Sequence, residues 1–92
     1  MARIHALNSP ALSAILRLSQ AKALNMREFS FAAQVSPLAA RKVLKTLRDL
    51  DLVVEKRDKQ GATKIAEIRL TATGQKVARL VASIDALLPS EE

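Results

Sequence analysis

The residues of this chain best suited to chemistry are basic side chains gathered in one short segment. From Ser36 to Arg48 the sequence has four cations and no acidic residue. Such side chains bind anionic partners, because their positive charges donate strong hydrogen bonds to phosphate and carboxylate oxygens. The four cations are Arg41, Lys42, Lys45 and Arg48.

The same segment carries apolar residues at helical spacing. Ala40, Leu44, Leu47 and Leu50 recur at three- and four-residue steps, which places them on one side of an α-helix. The cations then lie on the opposite side. This pattern predicts an amphipathic helix whose positive outer face is either an ordinary solvated face or a binding surface.

The charge of the whole chain favours a binding surface. Fifteen Lys and Arg against nine Asp and Glu give a net charge of +6 and a pI near 10.3. We therefore expect the protein to attract polyanions, of which nucleic acid is the commonest. Eight of the basic residues lie between Ser36 and Lys64, against four acidic ones. The alternative is a basic composition without a binding role, and this clustering argues against it.

The remaining composition excludes several kinds of site. The chain has no Cys, one His and two Gly, which leaves no disulfide, thiolate metal site, nucleophile–base pair or glycine-rich phosphate loop. We therefore expect no enzyme activity, no metal and no cofactor. No apolar run approaches the roughly 20 residues that span a bilayer, and the start lacks a signal peptide. A soluble, cytoplasmic protein without membrane contact is expected.

The elements that must position the basic segment begin with a helix that follows a lead-in of residues 1–8. Ser9 and Pro10 offer an N-cap and a proline suited to the first helical position. Apolar residues make up 49% of the chain and aromatic ones 2%, so we expect an aliphatic core with Phe29 and Phe31 as its rings. The first helix is predicted to reach about Ala23 and to bury Leu12, Ile15, Leu16 and Ser19.

Two capping signals then follow in close succession. Asn25 and Glu28 fit a capping box, which predicts a second helix over residues 26–34. Ser36-Pro37 repeats the cap-then-proline signal, so a third helix starts after a turn of about three residues and ends near Asp51. The second helix should bury Phe29 and Ala33.

A basic hairpin and a last helix complete the chain. Residues 52–57 have the β-branched character of a strand, and residues 63–70 alternate as a half-buried returning strand does. The polar residues 58–61 between them include a glycine and predict a turn. Thr71 is suited to cap a helix over residues 72–88.

In this order the pieces resemble the winged helix-turn-helix of MarR/ArsR-like transcription regulators of bacteria and archaea. The resemblance rests on residues 25–30, on Val35-Ser36-Pro37, on residues 50–53 before the wing and on residues 70–74 after it. The implied fold is mainly α with a small β-hairpin (α+β), in the order α-α-α-β-β-α. Gln34 and Asp51 stand where these proteins often have glycine, and Asp51 still tolerates the left-handed conformation.

The resemblance implies one winged helix domain over residues 1–92. Within it we expect the helix-turn-helix in residues 25–51, the wing hairpin in residues 52–70 and a C-terminal dimerisation helix in residues 71–88. The apolar spacing of that last helix suits a seam between two helices, with packing inside one chain as the alternative. The predicted homodimer interface consists of Val77, Leu80, Val81, Ile84, Leu87 and Leu88.

The resemblance also implies binding to double-stranded DNA, with the third helix in the major groove and the wing on the backbone or the minor groove. Arg41 or Lys42 could then donate to guanine, whereas Arg48, further from the helix start, is assigned to backbone phosphate or solvent. The predicted DNA-binding residues are Ser36, Leu38, Ala39, Arg41, Lys42, Lys45, Arg48, Lys56, Arg57, Lys59 and Lys64.

A sequence-specific transcription regulator is therefore the leading hypothesis, with its small-molecule effector unknown. A second hypothesis is an architectural, chromatin-like protein that coats DNA, which the apolar Leu38 and Ala39 would suit. A third is a winged helix whose basic face meets an acidic protein partner.

Overall fold

The computed structural model of the chain describes residues 3–57 and 65–89. Four helices and one antiparallel hairpin follow in the order α-α-α-β-β-α, as the sequence predicts. A short 3₁₀ helix, Arg3–Ala6, precedes them. The elements are α1 (Ser9–Gln20), α2 (Met26–Ala33), α3 (Pro37–Asp49), β1 (Val53–Arg57), β2 (Ile65–Leu70) and α4 (Ala72–Leu87).

The predicted capping signals of the last three helices are confirmed. At α2 the Asn25 side chain accepts from the Glu28 backbone N–H at 2.8 Å, and the Glu28 carboxylate accepts from the Asn25 N–H at 2.9 Å. Ser36 accepts from the Ala39 N–H at the start of α3. These bonds satisfy backbone donors that have no partner inside the helix, so each helix has a fixed start.

The first helix differs from its prediction at both ends. Its N-cap is Asn8, not Ser9, because Asn8 has an extended backbone and its side chain accepts from the Ala11 N–H at 3.1 Å. The helix ends at Gln20 and not at Ala23, and α3 likewise ends at Asp49, before the predicted Asp51.

The buried face of α1 was also predicted incorrectly. Of the four residues expected inside, only Ile15 is buried; Leu16 is half-buried, and Leu12 and Ser19 are exposed. Alanines take the inner positions, since their small side chains let the helices lie close together. The residues that α1 buries are Ala11, Ala14, Ile15 and Leu18.

The two aromatic rings have different environments. Phe29 is fully buried in the core as predicted, whereas Phe31 is 71% exposed. The Arg27 guanidinium lies 5.9 Å from the centre of the Phe31 ring. The prediction that Phe31 belongs to the core is therefore wrong, and the ring lies on the outer face of α2.

The core joins the helices to the hairpin. Ile15, Leu47, Val53 and Ile68 are its largest fully buried side chains besides Phe29. Val43 adds a buried position on α3 that the predicted apolar side omitted, and Leu50 is only half-buried. Because this side of α3 is buried, the opposite side of the helix is exposed to solvent.

The wing hairpin is tied to the segment between α1 and α2. Within it Val53 pairs with Leu70 and Glu55 with Ile68, and the register shifts between Lys56 and Arg57. The Leu24 N–H donates to the Ile68 carbonyl at 3.1 Å, and the Ile68 N–H donates to the Leu24 carbonyl at 2.7 Å. These two bonds fix the base of the wing on the helical part of the molecule.

A close approach joins α4 to the start of the wing. The Thr71 N–H donates to the Leu52 carbonyl at 3.0 Å, and its hydroxyl donates to the Asp51 carbonyl at 2.6 Å. The same hydroxyl accepts from the Gly74 N–H. A Cβ on Gly74 would lie 1.9 Å from the Leu52 carbonyl oxygen, so only glycine fits this position.

No helix in the described ranges is long and apolar enough to cross a membrane.

Candidate nucleic-acid interface

The turn between α2 and α3 sets how α3 is presented. Gln34 takes the left-handed conformation, with φ of 59°. The buried Ser30 hydroxyl donates to the Val35 carbonyl at 2.8 Å. This bond occupies a backbone group of the turn, so the start of α3 is held by the end of α2.

Five of the six predicted groove-contacting residues on α3 and its N-cap are exposed, and we call this set the basic face of α3. Leu38 is 72% exposed at its start, and Ala39 is half-buried. Neither Arg41 nor Lys42 has an ion-pair partner among the described residues. The face consists of Ser36, Leu38, Ala39, Arg41, Lys42 and Lys45.

Lys45 differs from the other cations of this face because it has a partner on its own helix. Its ammonium lies 3.3 Å from the Asp49 carboxylate, and the two side chains are 70% and 60% exposed. An exposed pair at this spacing contributes about 0.3–0.5 kcal/mol. Lys45 can therefore leave Asp49 for another anion at small cost.

Arg48 has a different kind of partner. Its guanidinium lies 2.5 Å from the Glu55 carboxylate on β1, and the Glu55 side chain is only 8% exposed. The Arg57 guanidinium lies 3.5 Å from the other oxygen of the same carboxylate. Glu55 thus links the end of α3 to the wing, a contact that the sequence analysis did not identify.

The wing contributes further cations. Lys56 and Arg57 are exposed near the end of β1. Lys59 and Lys64 and the predicted turn of residues 58–61 lie outside the described residues. In the part that the structure describes, these wing cations lie on the strand that follows α3 in the chain.

A second exposed surface lies on α4 and is apolar. Of the residues predicted at a dimer interface, Val77 and Val81 are half-buried against the core of their own chain. The others form what we call the apolar surface of α4, with Leu87 84% exposed. Beside it a groove of about 350 Å³ lies between α1 and α4, lined in part by Leu12 and Leu16. The apolar surface of α4 consists of Leu80, Ile84, Leu87 and Leu88.

No metal centre is built from the described residues, since no three His, Cys, Asp or Glu side chains among them lie together.

The helix-turn-helix followed by a hairpin defines the winged-helix class of fold. Solved structures share it. A MarR-family transcriptional regulator from Silicibacter pomeroyi superposes with a TM-score of 0.76 at 15% identity, over 91% of this chain and 58% of that chain. A ZitR variant from Lactococcus lactis in apo form superposes with a TM-score of 0.73 at 21% identity, over 87% of this chain and 59% of that chain.

A third neighbour is a MarR-family protein of Mycobacterium tuberculosis in complex with salicylic acid. It superposes with a TM-score of 0.64 at 25% identity, over 89% of this chain and 64% of that chain. This chain thus has the winged-helix fold of MarR-family proteins and spans less than two thirds of the length of these structures. No protein-family model and no curated protein matches the sequence.

Proposed function

We propose that the protein is a DNA-binding transcription regulator that inserts α3 in the major groove. The observation that carries the proposal is the basic face of α3, on which Arg41 and Lys42 are exposed beside a helix start capped by Ser36. Solved neighbours with this fold are described as transcription regulators, which supports the same role. Such a protein would reside in the cytoplasm, on the nucleoid.

The contacts follow from the chemistry of the groove. Arg41 or Lys42 donates to O6 and N7 of guanine, and a bidentate contact of this kind discriminates by about 1–3 kcal/mol. Leu38 and Ala39 offer apolar contacts to thymine methyl groups. Pro37 has no N–H and the Ala39 N–H donates to Ser36, so the Leu38 N–H is the donor that would receive a phosphate at the start of α3. Lys56 and Arg57 of the wing meet the backbone.

The proposal includes a homodimer formed through the apolar surface of α4. Large exposed apolar side chains clustered on one helix are typical of a protein interface, and the groove beside Leu12 and Leu16 extends that area. Two copies related by a two-fold axis would present two α3 helices to half-sites about 10–10.5 bp apart.

An architectural role is the second candidate, and Leu38 favours it. Leu38 is 72% exposed and is the second residue of α3. At such a position a protein that reads bases would gain from a hydrogen-bonding side chain. With Leu38 there, base contacts would be fewer and phosphate contacts would supply most of the affinity.

Selection of duplexes from a random pool, followed by titration of selected and random DNA at several salt concentrations, tests the proposal. A regulator should bind the selected duplex 10³-fold or more tighter than random DNA, in the approximate range of specific binders. Arg41→Ala should lower this ratio, and Arg79→Ala on α4 is the matched control that should not. A ratio near one at every salt concentration would instead establish the architectural role. Failure to bind any duplex at low salt would favour the protein-interaction module.

A further inference from the structure

Glu55 occupies a position at which a strand facing a core ordinarily carries an apolar residue. It follows the buried Val53 by two residues on β1, so both side chains project from the same side of the strand. Its side chain is 8% exposed, and its carboxylate contacts the guanidinium groups of both Arg48 and Arg57. A carboxylate is thus held at the rim of the core, directly between α3 and the wing.

We propose that Glu55 is a positioning residue that keeps Arg48 away from DNA phosphate and so limits the non-specific part of DNA binding. The inference rests on the proposed function, since it concerns how the same surface discriminates between DNA sequences. Arg48 belongs to the predicted DNA-binding set, but in this arrangement its charge is already satisfied by a carboxylate within the protein.

The burial of Glu55 is what makes this pairing persistent. An exposed pair such as Lys45–Asp49 exchanges easily with solvent ions, whereas a carboxylate removed from water loses much more when its partner leaves. Arg48 is half-exposed, so its guanidinium could turn toward a phosphate only by leaving Glu55 with fewer donors. Arg48 therefore stays paired with Glu55 and does not bind a phosphate.

Charge counting gives the consequence for DNA binding. Each protein cation that neutralises a phosphate adds about 0.9 to the steepness of the plot of log affinity against log salt. This part of the affinity is the same for every sequence. Keeping Arg48 on Glu55 removes about one such contact, which lowers affinity for random DNA without touching Arg41 or Lys42.

A second consequence concerns the direction of the wing. The same carboxylate contacts Arg57, two residues further along β1, so one group connects the last turn of α3 to the strand that leads into the wing. The contact between Arg48 and Glu55 thus ties the last turn of α3 to β1 before DNA is bound.

Glu55→Gln in the full chain tests the inference, with Asp49→Asn as the matched control. Both changes remove one negative charge near the end of α3, but only Glu55 is shielded from water. Glu55→Gln should steepen the salt dependence by about one unit, raise affinity for random DNA about fivefold and lower the specificity ratio. Asp49→Asn should produce less than half of each change. Equal effects of the two variants would overturn the inference, because they would show that charge alone matters.

A second pair of variants keeps the test decisive if Glu55→Gln does not fold. Lys56→Gln should reduce the salt slope by about one unit, because the exposed Lys56 of the wing is proposed to meet backbone phosphate. Arg48→Gln should reduce it by less than half as much, because Arg48 has Glu55. An equal loss in both variants would show that Arg48 contacts phosphate in the complex.

The readouts also separate this inference from the proposed function. If the wild-type chain binds no duplex at low salt, the proposed function fails. If the wild-type chain discriminates between sequences and the four variants do not rank as stated, only the role of Glu55 fails. A Glu55 that merely stabilised the fold would alter thermal unfolding and leave the salt slope of the folded protein unchanged.

Discussion

The basic face of α3 and the apolar surface of α4 are both largely exposed, but they differ in the charge and polarity of their side chains. On α3 most of the exposed side chains are cations, with Leu38 as the one large apolar residue and Asp49 as the one acid. On α4 the exposed side chains include three large apolar residues, Leu80, Ile84 and Leu87, and Leu88 follows as the C-cap. A hydrated polyanion suits the first surface, and another protein surface suits the second.

The contrast teaches that amphipathic spacing alone does not distinguish a helix that covers a core from one that also binds a partner. Both α3 and α4 bury one side in the same core, through Leu47 on α3 and Ala78 on α4. What separates them is the chemistry of the side that remains outside.

A charge placed on the apolar surface of α4 tests whether that surface binds a second copy of the chain. Ile84→Asp should raise the dissociation constant of the homodimer about 100-fold or more, since an unpaired carboxylate would be buried between two copies. Analytical ultracentrifugation across a range of concentrations measures this constant.

Ala86→Asp provides the control for that change. Ala86 is exposed in the same last turns of α4 but lies on the other side of the helix from Ile84 at about 100° per residue. A wild-type chain that is monomeric at all concentrations, or an equal effect of both substitutions, would contradict the dimer proposed here.

Gly74→Ala tests the close contact between α4 and the start of the wing. The added Cβ would overlap the Leu52 carbonyl oxygen, so the free energy of unfolding should fall by about 1–3 kcal/mol. Chemical denaturation of the variant measures the loss, and Thr73→Ala at the adjacent exposed position should change it by less than about 0.5 kcal/mol. An unchanged stability would mean that α4 can move away from the wing.

Arg41→Ala and Lys56→Ala separate sequence recognition from general attraction. Arg41→Ala should weaken binding to the selected duplex by about 1–3 kcal/mol and random DNA by less, whereas Lys56→Ala should weaken both alike and lower the salt slope by about one unit. Fluorescence anisotropy titrations at several salt concentrations distinguish the two patterns. Identical patterns would show that α3 does not read bases.

Gln34→Gly should have the smallest effect and the opposite sign. A non-glycine residue in the left-handed conformation is strained by about 1 kcal/mol, and Gln34 has φ of 59°. The variant should therefore unfold at higher temperature. Gln34→Ala, which removes the side chain but retains the strain, should give no such gain in a calorimetric comparison.

Local signals in the sequence were sufficient for the element order and for most helix starts. The Asn25–Glu28 capping box, the Ser36-Pro37 pair and Thr71 each act within four residues, so their geometry follows from the residues themselves. Asp51 has the left-handed conformation, with φ of 61°, at a position where the resemblance implies a residue that is often glycine.

Positions that depend on the packing of distant elements were predicted less well. The inner side of α1 is occupied by alanines whose burial depends on how closely other helices approach, and the exposed ring of Phe31 shows that an aromatic residue need not be interior. The contact of Arg48 with Glu55 crosses from a helix to a strand, so no helical or strand periodicity reveals it. The basic face of α3 was accessible to sequence analysis because it lies on one regular helix.

The two backbone bonds between Leu24 and Ile68 also bear on how the chain avoids self-association through its strands. A two-stranded hairpin has open backbone groups along both outer sides, where a strand from another molecule can add. At Ile68 the N–H and the carbonyl are both occupied by Leu24, and the side chain there is fully buried. An intruding strand would have to break both bonds before it could extend the sheet along β2, which protects that edge of the wing from aggregation.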